Sequence, residues 1–167
     1  MKKVQMNIFG CGGTGINIAR KMELPEVLGF PIAKKVYFDT SDRNVTAADM
    51  KDTFLIEGMN GAGKDQEVAH KGASDQIDDL LRDFKPGVMN VVIFGAAGGS
   101  GGVLGTLLFE EMARREIPCI ALVIGNTTSK AEAINTKNTL RTLRGIGSKG
   151  ASMTMMYFEN GTSADSK

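Results

Sequence analysis

A chain of 167 residues is the size of one ordinary domain and can bury a sizeable core. Its 42% hydrophobic and 23% charged residues are ordinary for a globular protein, and 20 basic against 19 acidic residues leave a net charge of +1. That balance excludes the basic field that draws direct nucleic-acid binding and the acidic excess of a disordered chain. No stretch approaches the roughly 20 apolar residues of a membrane span.

The start, MKKVQMNIFGCGG, carries a basic pair, but Gln5 and Asn7 interrupt what would be the apolar region of a signal peptide. Residues 3–9 instead predict a strand. It runs into GCGGTG at 10–15, where Gly10, Gly12 and Gly15 fit G-x-G-x-x-G between a strand and a helix. Cys11 lies inside this loop at a helix start, where a thiolate would be stabilised. The plainer reading is a small residue filling a tight place. Cys11 and Cys119 are far apart and lack metal-ligand spacing, which fits a reduced, cytoplasmic chain.

Residues 34–38 predict the second strand, and Asp39 closes it about where a dinucleotide enzyme keeps its ribose carboxylate. A third strand is predicted over 53–57. It is followed by GMNGAGKD at 58–65, a near miss to the phosphate loop G-x-x-x-x-G-K-[ST], with Asp65 in place of the hydroxyl that would bind magnesium. The cheaper reading is a flexible loop entering a helix, with Asp65 favouring its dipole. That helix is predicted over 65–84, burying Val68, Ile77, Leu80, Leu81 and Phe84 and stopping at Lys85-Pro86-Gly87. His70, the single histidine, has no nearby nucleophile or second ligand and is expected to be a surface or packing residue.

A strand at 90–94 leads through GAAGGSGG (95–102) into a helix at 103–115, where Val103, Leu104, Leu107, Leu108 and Met112 recur at helical spacing. A strand at 118–124, the loop GNTTS (125–129), a more polar helix at 130–143 and a strand at 152–158 follow. Residues 161–167 form a polar tail. Short apolar runs alternating with helical periodicity define an α/β chain: a Rossmann-like, three-layer domain over residues 1–160, with a mostly parallel sheet and helices on both faces.

In such a sheet the loops after the strands share one edge, where ligands bind. Glycine in a stable element costs roughly 1 kcal/mol relative to alanine, so Gly98, Gly99, Gly101 and Gly102 together need a local reason. Exposed backbone N–H groups at positive helix ends suit phosphate, and the Ser100 hydroxyl can donate to a phosphate oxygen. The bland alternative is a close helix-to-sheet contact. Two nucleotide readings stay open on the residues alone. One is the NAD-binding domain of an oxidoreductase, resting on residues 10–15 and Asp39; the other is a phosphate cradle that uses all three glycine loops.

Taken together, the loops resemble the tubulin/FtsZ superfamily of filament-forming GTPases over residues 4–160. The family's G-G-G-[TS]-G-[TS]-G is similar to AGGSGGV at 97–103, departing at the first and last two positions. GCGGTGIN resembles the family's opening loop, and EGMNGAGKDQEV its γ-phosphate-sensing loop. IFGCGGTGINIA, FDTSDRNV, GSGGVLG and the spacing of NTKNTLRTL fit the bacteriophage tubulins within that superfamily.

The resemblance implies GTP or GDP across the strand ends, with Mg2+ held through the phosphates. Gly10, Cys11, Gly12, Gly13, Thr14 and Gly15 would wrap the α/β region. Gly61, Ala62, Gly63 and Lys64 would lie near the γ-phosphate, and Ala97, Gly98, Gly99, Ser100, Gly101 and Gly102 would hold phosphates. It assigns Asn17 to guanine, either Glu132 or Asn135 to ribose, and Asn160 to guanine again, with Glu159 in the place of the family's usual proline.

Family members continue into a core helix and a second domain, whose acidic loop activates water in the next subunit's site. The chain therefore resembles the nucleotide-binding half, with slow or no GTP hydrolysis expected alone. The full-length form is expected to self-associate into filaments in the host cytoplasm, with a phage DNA-associated partner. A non-hydrolysing module that regulates filaments is the remaining alternative.

Overall fold

The computed structural model describes residues 4–22, 26–27, 29–63, 65–149 and 154–160. Lys64, the tail at 161–167 and the predicted strand residues 3, 152 and 153 lie outside them. The elements in chain order are β1 (Met6–Cys11), α1 (Gly12–Lys21), β2 (Glu26–Val27), β3 (Phe30–Asp39), β4 (Thr53–Leu55), α2 (Gln66–Ala73) and α3 (Ile77–Asp83), followed by β5 (Met89–Gly95), α4 (Ser100–Arg114), β6 (Cys119–Gly125), α5 (Lys130–Ser148) and β7 (Thr154–Glu159).

Six strands are parallel, in the order β4-β3-β1-β5-β6-β7, and the short β2 pairs antiparallel with the start of β3. From β1 the chain crosses outward to β3, whereas from β5 it crosses the opposite way to β6. The crevice between β1 and β5 is therefore the topological switch point, the place where such sheets bind ligands. Register brings the strand ends level there, with Cys11 beside both Phe38 and Phe94.

Alternate strand residues feed two cores. Ile8, Val91 and Ile93 pack on one face with Ile16 and Ala19 of α1. Phe9, Val92 and Phe94 pack on the other with Leu80 and Leu81 of α3, Leu104, Leu108, Phe109 and Met112 of α4, and Leu143 and Ile146 of α5. The three-layer α/β expectation holds. β7 ends the sheet, and Met155, Met156, Tyr157 and Phe158 are all exposed along it.

Several predicted boundaries move. β1 extends through Gly10 and Cys11, and α1 begins at Gly12, so GCGGTG is a strand end and a first helical turn, not a loop. Likewise α4 starts at Ser100, three residues early. Three glycines inside it cost about 1 kcal/mol each, but four buried apolar side chains contribute about 1.5–3 kcal/mol each and outweigh them. The single helix expected over 65–84 is two helices, separated by a 3-10 turn at Ser74–Gln76. Val68, expected to be buried, is 47% exposed. Counting back from Ile77 in helical steps of four lands on Ala73 and Ala69, and those are the buried residues of α2.

Candidate functional site

At the switch point the chain crosses itself backbone on backbone. Gly12 has φ +66°, and a Cβ there would sit 2.5 Å from the Cα of Gly101. One at Gly15 would fall on the carbonyl oxygen of Ile93 in β5. Only glycine allows these approaches. Cys11 is fully buried in the same junction, and burial, helped by the charge of Asp39, pushes its thiol well above the ordinary range. The stabilised-thiolate reading is thereby corrected: desolvation outweighs the nearby helix end, and Cys11 is a packing residue.

In front of this junction lies a cavity of about 390 Å3. Its walls come from the first turn of α1 (Gly13, Thr14), the segment after β3 (Asp39, Thr40, Ser41, Arg43, Asn44), Gly61 to Gly63 ahead of α2, and Gly95 with Gly98 to Gly101 around the start of α4. Thr40 Oγ1 and Ser100 Oγ share a 2.7 Å hydrogen bond, which ties the end of β3 to the glycine segment. Asp39 is buried; its Oδ1 accepts from the Thr40 amide at 2.7 Å and its Oδ2 from Asn44 Nδ2 at 3.1 Å. Burial raises its pKa, and the hydrogen bonds from Thr40, Asn44 and Ser100 pull the other way.

The helix ends around this cavity differ in how they are capped. α2 is closed by Asp65, whose carboxylate accepts from the amides of Glu67 and Val68 at 2.9 and 3.2 Å. α5 is closed by Ser129, which accepts from the Glu132 amide. α1 and α4 have no side-chain cap and no acidic residue in the first turn. The first-turn residues that line the cavity, Gly13 and Thr14 of α1 and Ser100 and Gly101 of α4, therefore have no side chain capping their N–H groups, and an anion is what satisfies such groups. The P-loop near miss is settled by the same contrast, because the helix after GMNGAGK already holds its own carboxylate.

A second cavity, of about 240 Å3, shares Thr14, Gly95 and Gly98 with the first and adds Ala97, Ile124, Gly125, Asn126, Glu132 and Asn160. The Asn160 amide donates to Gly125 O at 2.9 Å. Glu132 lines this cavity, and its Oε2 accepts from Ser129 Oγ at 2.9 Å. Asn135 Nδ2 instead donates to Ala97 O at 3.1 Å, holding the glycine segment from outside.

Of the candidate residues, Gly13, Thr14, Asp39, Gly61, Ala62, Gly63, Gly98, Gly99, Ser100 and Gly101 meet at the first cavity, and Ala97, Glu132 and Asn160 at the second. Gly10, Cys11, Gly12 and Gly15 are buried and line neither. Gly102 also faces backward: a Cβ there would lie 2.7 Å from Thr139 Oγ1. Asn17 is exposed on α1, accepts from Arg20 Nη1 at 3.2 Å and lines neither cavity.

Residues that the sequence did not single out are Thr40, Ser41, Arg43, Asn44, Asn126 and Gln66. The first four sit in DTSDRN, whose place after a parallel strand was the available signal. Gln66 Nε2 lies behind the glycine segment and reaches Thr139 Oγ1 at 3.0 Å, Gly98 O at 3.3 Å and Ala96 O at 3.4 Å.

Comparison with known proteins bears on this geometry. No family model matches the chain. A phage tubulin-like protein of Pseudomonas phage PhiPA3 is 34% identical over 148 residues, covering 87% of this chain and 44% of that protein. The protofilament of TubZ from Bacteriophage PhiKZ superposes with a TM-score of 0.86 at 27% identity, over 98% of this chain and 51% of that one. The GDP form of the phage tubulin PhuZ gives 0.81 at 28% identity, over 96% and 50%. FtsZ of M. jannaschii, at 18% identity, shares the fold with a TM-score of 0.79 over 99% and 50%.

The fold is that of the tubulin/FtsZ superfamily. Within it the chain belongs with the phage tubulin-like proteins, and it spans about half the length of the curated relatives it matches. Among the described residues no helix is long and apolar enough to cross a membrane.

Proposed function

We propose that the chain is the guanine-nucleotide-binding part of a filament-forming phage tubulin, taking GTP or GDP with its phosphates in the larger cavity and its nucleoside in the smaller one. The observation that carries this reading is the pair of uncapped helix N-termini, α1 and α4, opening on one cavity at the switch point. Backbone N–H groups of Gly98 to Gly101 and the Ser100 hydroxyl would hold phosphate oxygens, with Gly61 to Gly63 closing the far side. Glu132, which lines the smaller cavity, would accept from a ribose hydroxyl, and Asn126 and Asn160 would offer amide groups to a purine edge.

Mg2+ fits the donors present only as an ion shared with the nucleotide. Asp39 is the one acidic side chain among the described residues of the larger cavity, and both its oxygens already accept hydrogen bonds. Phosphate oxygens and water would supply the remaining ligands, as is usual for this ion. The filament structures of relatives support self-association of the longer protein, and positioning of phage DNA or its compartment in the host cytoplasm is the role we assign to it.

Thermal unfolding with GTP, GDP, ATP and NAD tests the reading. A ligand at about 100 times its Kd stabilises by about 2.7 kcal/mol, so either guanine nucleotide is expected to raise Tm by several degrees. Stabilisation by NAD alone would overturn the proposal.

A further inference from the structure

The two cavities fix a direction. They adjoin at Thr14, Gly95 and Gly98, the nucleoside-side groups Asn126, Glu132 and Asn160 line only the smaller one, and Arg43 and Gly61 to Gly63 line only the larger. A nucleotide lying across both therefore has its phosphates in the cavity that Arg43 lines, and Arg43 follows β3, which the sheet order sets on the opposite side of β1 from β5, β6 and β7. This orientation rests on the nucleotide reading above.

Arg43 is held as a reaching side chain on a fixed base. It sits in a 3-10 turn, Asp42–Asn44, that is pinned from several sides: Val45 N donates to Asp42 O at 2.9 Å, Arg20 Nη2 to Asn44 O at 2.5 Å, and Asn44 Nδ2 to Asp39 Oδ2 at 3.1 Å. Arg20 is itself tied to Asp49 at 3.0 Å. By contrast the Arg43 side chain is exposed and makes no hydrogen bond or ion pair among the described residues.

Charge makes this contrast informative. A magnesium-free nucleoside triphosphate brings about four negative charges and a diphosphate about three, since each added phosphate contributes one or more near neutral pH. The larger cavity already contains the Asp39 carboxylate, and Arg43 is the sole cation among its described lining residues. Backbone N–H groups supply partial charge only, so the full positive charge lies at the end where a third phosphate would extend. A guanidinium there can bind two phosphate oxygens at once.

We infer that Arg43 is a side chain by which this site tells a nucleoside triphosphate from a diphosphate, its guanidinium engaging the terminal phosphate. Gly98 to Gly101 and the Ser100 hydroxyl would hold phosphates common to both nucleotides, and Gly61 to Gly63, which line the same cavity as Arg43, carry no side-chain charge.

Equilibrium binding of GDP and of a non-hydrolysable GTP analogue to the 167-residue chain, with magnesium, tests this in the original protein, Arg43→Ala and Arg43→Lys. Because Arg43 supports no other described side chain, both variants are expected to keep the original melting temperature. Arg43→Ala should weaken the triphosphate analogue roughly tenfold and GDP less than about twofold, with Arg43→Lys in between, because an ammonium keeps the charge but loses the fork. The analogue's affinity should also fall more steeply with salt in the original than in Arg43→Ala. An unchanged ratio of the two affinities in Arg43→Ala, alongside normal binding of both nucleotides by the original, overturns the assignment and leaves the nucleotide reading standing. Binding of neither nucleotide by the original overturns both.

Discussion

Behind the larger cavity Gly12 lies against Gly101 and Gly15 against the Ile93 carbonyl, whereas in front of it a side chain at Gly98 would meet no atom within 4 Å. The back of the junction uses glycine because two chain segments must touch. At the front, protein packing does not explain the missing side chain at all. One cluster of glycines therefore does two jobs, and the space left at Gly98 is what a ligand would fill. The uncapped starts of α1 and α4 frame that space.

Substitution at Gly15 tests the back most severely. Gly15→Ala places a carbon on the backbone of the central strand β5, which cannot swing aside like a side chain, and is expected to cost about 3 kcal/mol, at the upper end of overpacking penalties. A urea-unfolding midpoint checks it, and a loss below about 0.5 kcal/mol would mean that α1 slides freely on β5.

Asp39 tests the front through pH. Its carboxyl is raised above the unfolded value chiefly by burial, so between the two pKa values the folded chain holds more protons at this site than the unfolded one. Stability from this group is therefore full below the ordinary carboxylate range and lost as pH rises through the raised value. Asp39→Asn cannot titrate, and the Asn44 amide can turn to answer it. The variant is expected to match the original in acid and to exceed its Tm at neutral pH, and parallel Tm curves across that range would count against the assignment.

The smallest effect on stability is expected at Gly98, whose φ lies outside the left-handed range. Gly98→Ala should leave unfolding within about 0.5 kcal/mol of the original while lowering guanine-nucleotide affinity roughly tenfold, as read by calorimetric titration. Equal losses of stability at Gly15 and Gly98 would erase the distinction between back and front.

Much of this fold can be read from apolar runs. The stretch 91–94 is continuously hydrophobic, as a strand buried on both faces must be, and 119–125 is as apolar although it is fully buried only at alternate positions. Helix starts are harder, because the propensity of Gly101 and Gly102 argues against a helix that Leu104, Leu108 and Phe109 impose from further along. Val68 misled for a related reason: the buried stripe of α2 is made of alanines, whose small size lets the helix lie close to α4.

In the site, strand-end position and glycine content point to the segments but not to which residue faces where. Gln66 joins partners 32 and 73 positions away in sequence, and no local pattern announces such a bond. Asp39 illustrates the opposite case. It is conspicuous as a carboxylate at a strand end, and the structure places it in the larger cavity, accepting hydrogen bonds from Thr40 and Asn44.

Cys11 gives the junction a clock. Its sulfur is sealed beneath the crossing of Gly12 and Gly101 and its pKa is raised by burial, so a thiol reagent reaches it only when the crossing parts. Cys119, pushed up to about 12 and lying between β5 and β7 in the sheet, is the other thiol of the chain. Their separate modification rates turn opening of the two places into local free energies. A ligand bridging α1 and α4 would slow the first rate without any probe being attached to the protein.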